Sequence, residues 1–254
     1  MTRLIRTFAL LTAVALLGCA QNYGDPVTPY DTPIDDPVLG GLRPASELSS
    51  YIGSWPDFPI DEEHRFTTAT FLQAGDVAVD FTLQDLSGNS HRLAEYLQTK
   101  PVLLFIGSYS CPIYEAKIAE INALCEQPYD ESSNFADRLH FVHVYVMEAH
   151  PMAPDPSPHY GTVYEDEFST VRQPLDYATR QANAMLLAPR LASDQLLLLD
   201  DLRPHGADNP IWSSYGSGAA SAWLIRQDGR IMAAHEWLDV TALRKSIQRL
   251  LVES

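Results

Sequence analysis

The segment from Pro101 to Pro112, Pro-Val-Leu-Leu-Phe-Ile-Gly-Ser-Tyr-Ser-Cys-Pro, decides the fold of this chain. Its first six residues form an unbroken apolar run of strand length, which is typical of a strand buried on both faces of a sheet. Beyond Cys111, apolar residues recur at helical spacing, and Pro112 suits the first helical position, where its missing N–H costs nothing. The sequence therefore predicts a central strand, a short loop, and a helix that begins at Cys111.

Further strands and helices are predicted on both sides of this segment. They are a strand over Val77–Leu83, a strand over Leu139–Met147, a helix over 174–188, a strand over Gln195–Leu199, a hairpin of Ser221–Ile225 with Ile231–His235, and a closing helix from Val240 that Asp239 caps. This order predicts an α/β protein of thioredoxin-like fold, with a central mixed sheet flanked by helices. The irregular, acidic segment 148–172 predicts a long insertion after the second central strand.

The N-terminus carries the pattern of an export signal. Arg3 and Arg6 precede the apolar run Phe8–Leu17, which is too short to span a membrane. The run ends in Leu-Leu-Gly-Cys19 and resembles the lipobox of bacterial lipoproteins. Residues 1–18 are therefore predicted to be a lipoprotein signal peptide and Cys19 a lipid anchor. Ala20 after it implies an exported protein on the outer membrane, facing the periplasm or the cell surface.

The next segment, residues 19–60, is rich in proline and aspartate and has little apolar periodicity. It is predicted to be an extended tether, with an arm packed on the domain as the alternative. Residues 61–254 are then the thioredoxin-like domain. The formal net charge of −16 excludes nucleic acid as a partner, because the chain would repel it.

Two cysteines remain in the mature chain, and their positions differ. Cys111 is predicted at a helix N-terminus, where unpaired backbone N–H groups favour a thiolate near neutral pH. Cys125 falls on the apolar stripe of the same helix and is predicted to be core. Fourteen helical residues separate them by about 21 Å, whereas a disulfide needs Cα atoms within about 7 Å. We therefore expect no bound cofactor and an external reductant, either a reducing thiol or a thioredoxin-like donor.

Three segments resemble the iodothyronine deiodinases. Val102–Pro112 is similar to the motif of that family in which selenocysteine precedes proline, with Cys111 in its place. Val144–His150 is similar to the strand that ends in Glu-Glu-Ala-His, with methionine at the first glutamate, and Ser214–Gly216 is similar to Ala-Tyr-Gly. The resemblance runs from about Gly75 to the C-terminus. It implies a bacterial, cysteine-containing member within the thioredoxin-like, peroxiredoxin-like superfamily.

The resemblance implies reductive dehalogenation of an iodinated aromatic compound. The Cys111 thiolate would attack the halogen, and Glu148 and His150 would supply the proton that the released carbon needs. Ser108 and Ser110 could donate hydrogen bonds to the thiolate. Tyr215 is expected either to line the substrate cleft or to pack in the core. A homodimer is left open.

Three other functions compete with this one. In a peroxiredoxin-like thiol peroxidase, Ser108 would replace the usual threonine and Arg226 would be the candidate to hold a hydroperoxide, although Leu104 stands where that family has proline. A non-catalytic surface lipoprotein is the second alternative. A metal-binding protein is the third, but His140 and His143 should point to opposite faces of their strand. No metal site is therefore predicted.

Overall fold

The computed structural model describes residues 41–43, 72–158, 162–201, 209–216 and 220–253. The strands are β1 Thr82–Asp85, β2 Ser90–Arg92, β3 Val102–Gly107, β4 His140–Tyr145, β5 Gln195–Leu199, β6 Ala220–Ile225 and β7 Ile231–His235. The helices are α1 Leu93–Leu97, α2 Pro112–Cys125, α3 Phe135–Arg138, α4 Tyr177–Leu187, α5 Pro210–Tyr215 and α6 Val240–Glu253, with a 3-10 turn at Ala188–Arg190. Among the described residues, no helix combines the length and the apolarity needed to cross a membrane.

All seven strands belong to one mixed sheet in the order β2-β1-β5-β4-β3-β6-β7. Strand β3 lies between a parallel neighbour, β4, and an antiparallel neighbour, β6. All six of its residues are buried, as the apolar run predicted. The β3-α2-β4 unit is followed by the β6-β7 hairpin and by α6, so the predicted thioredoxin-like fold with a mixed sheet is confirmed.

Some predicted elements differ from the observed ones at their ends. Of the predicted strand Val77–Leu83, only Thr82 and Leu83 lie in β1, which continues to Asp85. Val77 and Val79 make isolated bridges to Arg230 and Arg43 instead. The short helices α1, α3 and α5 were not predicted, since four to six residues are too few to display a helical period. The predicted cap of the closing helix is present: the Asp239 carboxylate accepts hydrogen bonds from two backbone amides of its first turn.

Part of the predicted tether contacts the domain. Leu42 is 1% exposed, and the Arg43 amide donates to the carbonyl of Ala78 while its carbonyl accepts from the amide of Asp80. Residues 41–43 therefore pack against the domain, while the choice between a tether and an arm for the segment 19–60 stays a prediction. The signal peptide, Cys19 and most of residues 19–60 lie outside the described residues, and the boundaries at 18 and 60 stay predictions.

Helix α2 lies unusually close to the end of β3. A Cβ atom added at Gly107 would lie 2.5 Å from carbons of the Tyr114 ring, which is shorter than van der Waals contact allows. Glycine at this position therefore lets the first turn of α2 approach the strand. Since Cys111 directly precedes that turn, this contact helps to fix where its sulfur lies.

We expect Gly107→Ala to lower the free energy of unfolding by about 1–3 kcal/mol, because the added methyl group overpacks a site with no room for it. Urea unfolding followed by circular dichroism measures the change. Gly88→Ala is the comparison, because Gly88 has a φ of 83° with open space around it and should cost about 1 kcal/mol through its backbone alone. Equal stability of Gly107→Ala and wild type would contradict the proposed close packing.

Candidate active site

Cys111 occupies the predicted position at the N-terminus of α2. It is the N-cap residue, Pro112 takes the first helical position, and the sulfur accepts a hydrogen bond from the Tyr114 amide at 3.4 Å. The residue is only 4% exposed. The sulfur therefore sits against the helix N-terminus but is almost sealed from solvent.

The charge state of Cys111 differs from the expectation. Burial raises the pKa of its thiol from 9.0 to about 11; hydrogen bonds from the backbone amides of Tyr114 and Ile113 lower it, and the nearby Glu148 adds to the rise. Desolvation thus outweighs the helix N-terminus. In this conformation Cys111 is a neutral thiol at neutral pH, and the predicted thiolate is wrong for the resting protein.

Cys125 ends the same helix and is completely buried, as predicted for a core residue. Both cysteines are free thiols. The helix between them is continuous over fourteen residues, so an internal disulfide would require it to unwind. An oxidised Cys111 therefore has no resolving partner in Cys125.

Glu148 is the central buried polar group of the site. Its Oε2 atom accepts from the amide of Ser110 at 3.2 Å and from the hydroxyl of Ser110 at 2.7 Å. Its Oε1 atom accepts from the Tyr145 hydroxyl and from the Asn183 side-chain amide. Burial raises the pKa of Glu148, while the hydrogen bonds from Tyr145, Ser110 and Asn183 lower it. The carboxyl group thereby joins the loop before Cys111 to the end of β4.

The two serines contact this same region and not the sulfur. Ser110 Oγ, besides donating to Glu148, accepts from the His150 amide at 3.1 Å. Ser108 Oγ accepts from the Ala149 amide at 3.2 Å. In this conformation neither hydroxyl group bonds to the Cys111 sulfur, contrary to the expectation for Ser108 and Ser110: the Ser110 hydroxyl donates to Glu148, and the Ser108 oxygen accepts from the loop after β4.

His150 lies beside this loop, but its carboxylate partner is Asp166 and not Glu148. Nδ1 of His150 lies 2.6 Å from Asp166 Oδ2, and the imidazole stacks on Tyr164 with ring centroids 4.0 Å apart. Burial acts to raise the pKa of Asp166, but hydrogen bonds from His150, Ser169 and the Phe168 amide outweigh it and lower the pKa. The imidazole is thus held in one orientation by the insertion.

Tyr215 does not line a cleft. It is fully buried, donates its hydroxyl proton to the Val79 carbonyl at 2.5 Å, and packs edge-on against Phe81 and Trp223. Of the two expectations for this residue, the structure supports packing in the core.

A groove of about 610 Å³ runs beside the first turn of α2. Tyr109 and Phe168 supply aromatic surfaces, while Glu115 and Arg190 supply opposite charges. The Arg190 guanidinium lies over the Tyr109 ring, 4.9 Å from its centroid, and pairs with the Glu115 carboxylate. Tyr109 and Pro112, which are close to Cys111 in sequence, line this groove, whereas the nearly buried Cys111 does not.

The residues suggested for the competing functions lie elsewhere. Arg226 follows Ile225, which pairs with Val102 at the start of β3. It lies beside Asp228 at the opposite edge of the sheet from Cys111, so it cannot hold a peroxide there. His140 bonds to Thr99 and His143 to Tyr114. Within the described part of the chain, no three His, Cys, Asp or Glu side chains converge as a metal site requires.

Sequence reasoning missed Asp166, Tyr145, Asn183 and Arg190. Asp166 lies in an irregular segment, where no period indicates which acidic residue turns inward. Asn183 is a polar residue on a helix, a position that is ordinarily exposed to water. The tyrosine at the end of β4 was the one detectable signal, because a buried tyrosine usually finds a hydrogen-bond partner.

Comparisons with known proteins give similarity to solved structures only. No family model matches the chain, and no curated protein matches it. An exposed lipoprotein thioredoxin from Streptococcus pneumoniae strain TIGR4 is 16% identical, with 68% of this chain and 100% of that chain covered and a TM-score of 0.41. A putative thiol:disulfide interchange protein DsbE from Chlorobium tepidum is 14% identical, with 72% and 97% covered and a TM-score of 0.44. The C-terminal domain of a putative thiol-disulfide oxidoreductase from Bacteroides thetaiotaomicron is 13% identical, with 72% and 98% covered and a TM-score of 0.46. At these identities and TM-scores, the similarities carry no argument about the reaction of this chain.

Proposed function

We propose that the protein is a thiol-dependent oxidoreductase that removes iodine from an iodinated aromatic compound. The observation that carries the proposal is a single helix-capping cysteine, Cys111, beside a groove with aromatic walls formed by Tyr109 and Phe168. The second cysteine is out of reach, which favours a one-cysteine mechanism. The sequence resemblance to the deiodinases supplies the reaction class.

The proposed reaction balances with two equivalents of an outside thiol. Cys111, a neutral thiol in the resting protein, first gives up its proton to solvent. The resulting thiolate attacks iodine, so an S–I bond forms while the C–I bond breaks and its electron pair stays on the aromatic carbon. That carbon takes up a proton. One outside thiol then displaces iodide and forms a mixed disulfide, and a second thiol releases Cys111 and leaves as a small disulfide. The aromatic compound is reduced by two electrons, and the two thiols are oxidised.

His150 is the group that we propose delivers the proton. Asp166 binds Nδ1, which leaves Nε2 as the atom that hands the proton over. A carboxylate held against one nitrogen of an imidazole fixes the orientation of the ring and the tautomer. The His150 amide contacts Ser110, the residue before Cys111, so the histidine belongs to the same edge of the sheet as the thiol.

For Glu148 we propose a positioning role in place of proton delivery. Its carboxyl group is fully buried and makes all its hydrogen bonds to Ser110, Tyr145 and Asn183. Each carboxyl oxygen accepts two of these hydrogen bonds, so the group is not turned toward a substrate. By holding Ser110, it holds the loop from which Cys111 begins the helix.

We expect Cys111→Ser to abolish iodide release and Cys125→Ser to leave it within about twofold of wild type, because only Cys111 lies beside the groove. Purified protein with dithiothreitol is assayed in parallel on iodotyrosines, iodothyronines and hydrogen peroxide. Iodide release that survives in Cys111→Ser would contradict the proposal. Turnover of peroxide alone would replace it with the thiol peroxidase.

We expect His150→Ala to slow iodide release by about 10²–10⁴-fold, the usual contribution of a positioned general acid. Asp166→Asn should lower the rate in the same direction by a smaller factor, since the imidazole remains but loses its charged partner. The matched control is His91→Ala, which removes another half-buried histidine paired with an aspartate, Asp85, in the β1–β2 hairpin. Equal rates for His150→Ala and His91→Ala would remove His150 from the mechanism.

We also propose that the protein is exported and anchored by a lipid on Cys19. Cys19→Ser should release the protein from the membrane fraction or block its processing, because acylation needs that thiol. Membrane fractionation and the mass of the mature N-terminus are the measurements. Unchanged fractionation together with unchanged processing would rule out the anchor.

A further inference from the structure

A chain of polar side chains, buried at Tyr114 and His143 and partly buried at Gln195 and Asn122, runs beneath α2, and neither the reaction nor the sequence resemblance accounts for it. The Tyr114 hydroxyl bonds to Nδ1 of His143 on β4. Nε2 of His143 lies 2.8 Å from Oε1 of Gln195 on β5, and Nε2 of Gln195 donates to Asn122 Oδ1 at 3.1 Å. The chain therefore starts in the first turn of α2, crosses two strands, and returns to the same helix two turns later.

The proton positions along this chain follow from its partners. Burial lowers the pKa of His143 to about 3, against a hydrogen bond with Gln195 that raises it, so its imidazole is neutral. Because the Gln195 amide group donates to Asn122, its carbonyl oxygen faces His143 and must accept. Nε2 of His143 therefore carries the proton, and Nδ1 accepts from the Tyr114 hydroxyl. Burial raises the pKa of Tyr114 as well, so the phenol keeps the proton that it donates.

Packing reinforces the same position of the helix. The His143 ring stacks on Phe105 with centroids 4.8 Å apart, and the Tyr114 ring fills the space that a side chain at position 107 would need. Both side chains are fully buried. Tyr114 is thus held by its ring and by its hydroxyl, while its amide is the one that bonds to the Cys111 sulfur.

The far end of the chain reaches the groove. Asn122 Nδ2 donates to the Arg190 carbonyl at 2.9 Å, and Asn122 Oδ1 accepts from the Ala192 amide at 3.2 Å. The 3-10 turn that carries Arg190 is therefore tied to the same network. One set of buried and partly buried hydrogen bonds connects the turn next to the thiol with the charged wall of the groove.

We infer that Tyr114 and His143 are positioning residues that hold the first turn of α2 against β3 and β4 and thereby keep the Cys111 thiol buried in the resting protein. The inference rests on the proposed function only in so far as Cys111 is taken to be the nucleophile of the reaction. It is tested by alkylation, which needs no halogenated substrate, so its failure is distinguishable from failure of the dehalogenation proposal.

Tyr114→Phe removes the hydroxyl and keeps the packed ring. Loss of a neutral hydrogen bond shifts a local opening equilibrium by about tenfold, so iodoacetamide should label Cys111 about ten times faster at pH 7.5. The pH at half-maximal rate should fall from about 11 toward the ordinary value of 9.0, because burial is the main cause of the raised pKa. Labelling of Cys125, quantified by mass spectrometry of its peptide, should not change, whereas general destabilisation would accelerate both cysteines.

The matched control is Tyr96→Phe, which removes another tyrosine–histidine hydrogen bond, to His91 at 2.6 Å, in the region of α1 and β2. It should leave Cys111 labelling unchanged. His143→Leu is the second variant, and combining it with Tyr114→Phe should accelerate labelling no further than the stronger single change, since both break one contact. Labelling of Tyr114→Phe within twofold of wild type, or acceleration matched by Tyr96→Phe, would overturn the inference.

Discussion

The site depends on one buried carboxyl group that joins the ends of two parallel strands. Glu148 follows β4, and its hydrogen bonds to Ser110 hold the loop that follows β3. A buried carboxyl group is costly unless its oxygens are satisfied, and here Tyr145 and Asn183 satisfy the second oxygen. These hydrogen bonds hold together the ends of β3 and β4, the loop after β3, and α4. They do so at the edge of the sheet where α2 begins at Cys111.

Two different environments meet at this edge. On the buried side, Cys111 is nearly sealed from solvent, and burial raises the pKa of its thiol, with Glu148 adding to the rise. On the more open side, His150 and its partner Asp166 lie in the insertion and are partly exposed, and the groove is formed between the insertion and the first turn of α2. The sulfur is thus buried, whereas its proposed proton donor is partly exposed.

The fold could be predicted from the sequence because the spacing of apolar residues indicates which faces of the strands and helices are buried. The run over Val102–Ile106 and the spacing after Cys111 were sufficient to predict a central strand and a helix begun by that cysteine. The placement of Glu148 and His150 past the next strand followed from the parallel order of the sheet. What these patterns indicate is which backbone segments meet.

The partners of the side chains could not be predicted in the same way. Ser108 and Ser110 were expected to face the sulfur, but whether a hydroxyl group turns to sulfur or carboxylate depends on a difference of a few ångströms. The partner of His150, Asp166, depends on how an irregular segment folds back. The pKa of Cys111 depends on how deeply the N-terminus of α2 is buried. Neither the amino-acid composition nor the periodicity of apolar residues indicates that depth.

The unbroken helix between Cys111 and Cys125 has a consequence for the electron supply of the protein. Proteins with two neighbouring cysteines store reducing equivalents and can complete one cycle before they meet a donor. This chain stores none, so in the proposed reaction every turnover halts at the S–I or mixed-disulfide stage until a donor thiol arrives. Free thiols are scarce outside the cytoplasm. If the protein is exported, the concentration of the donor thiol would therefore limit the turnover rate, and the concentration of the aromatic substrate would not.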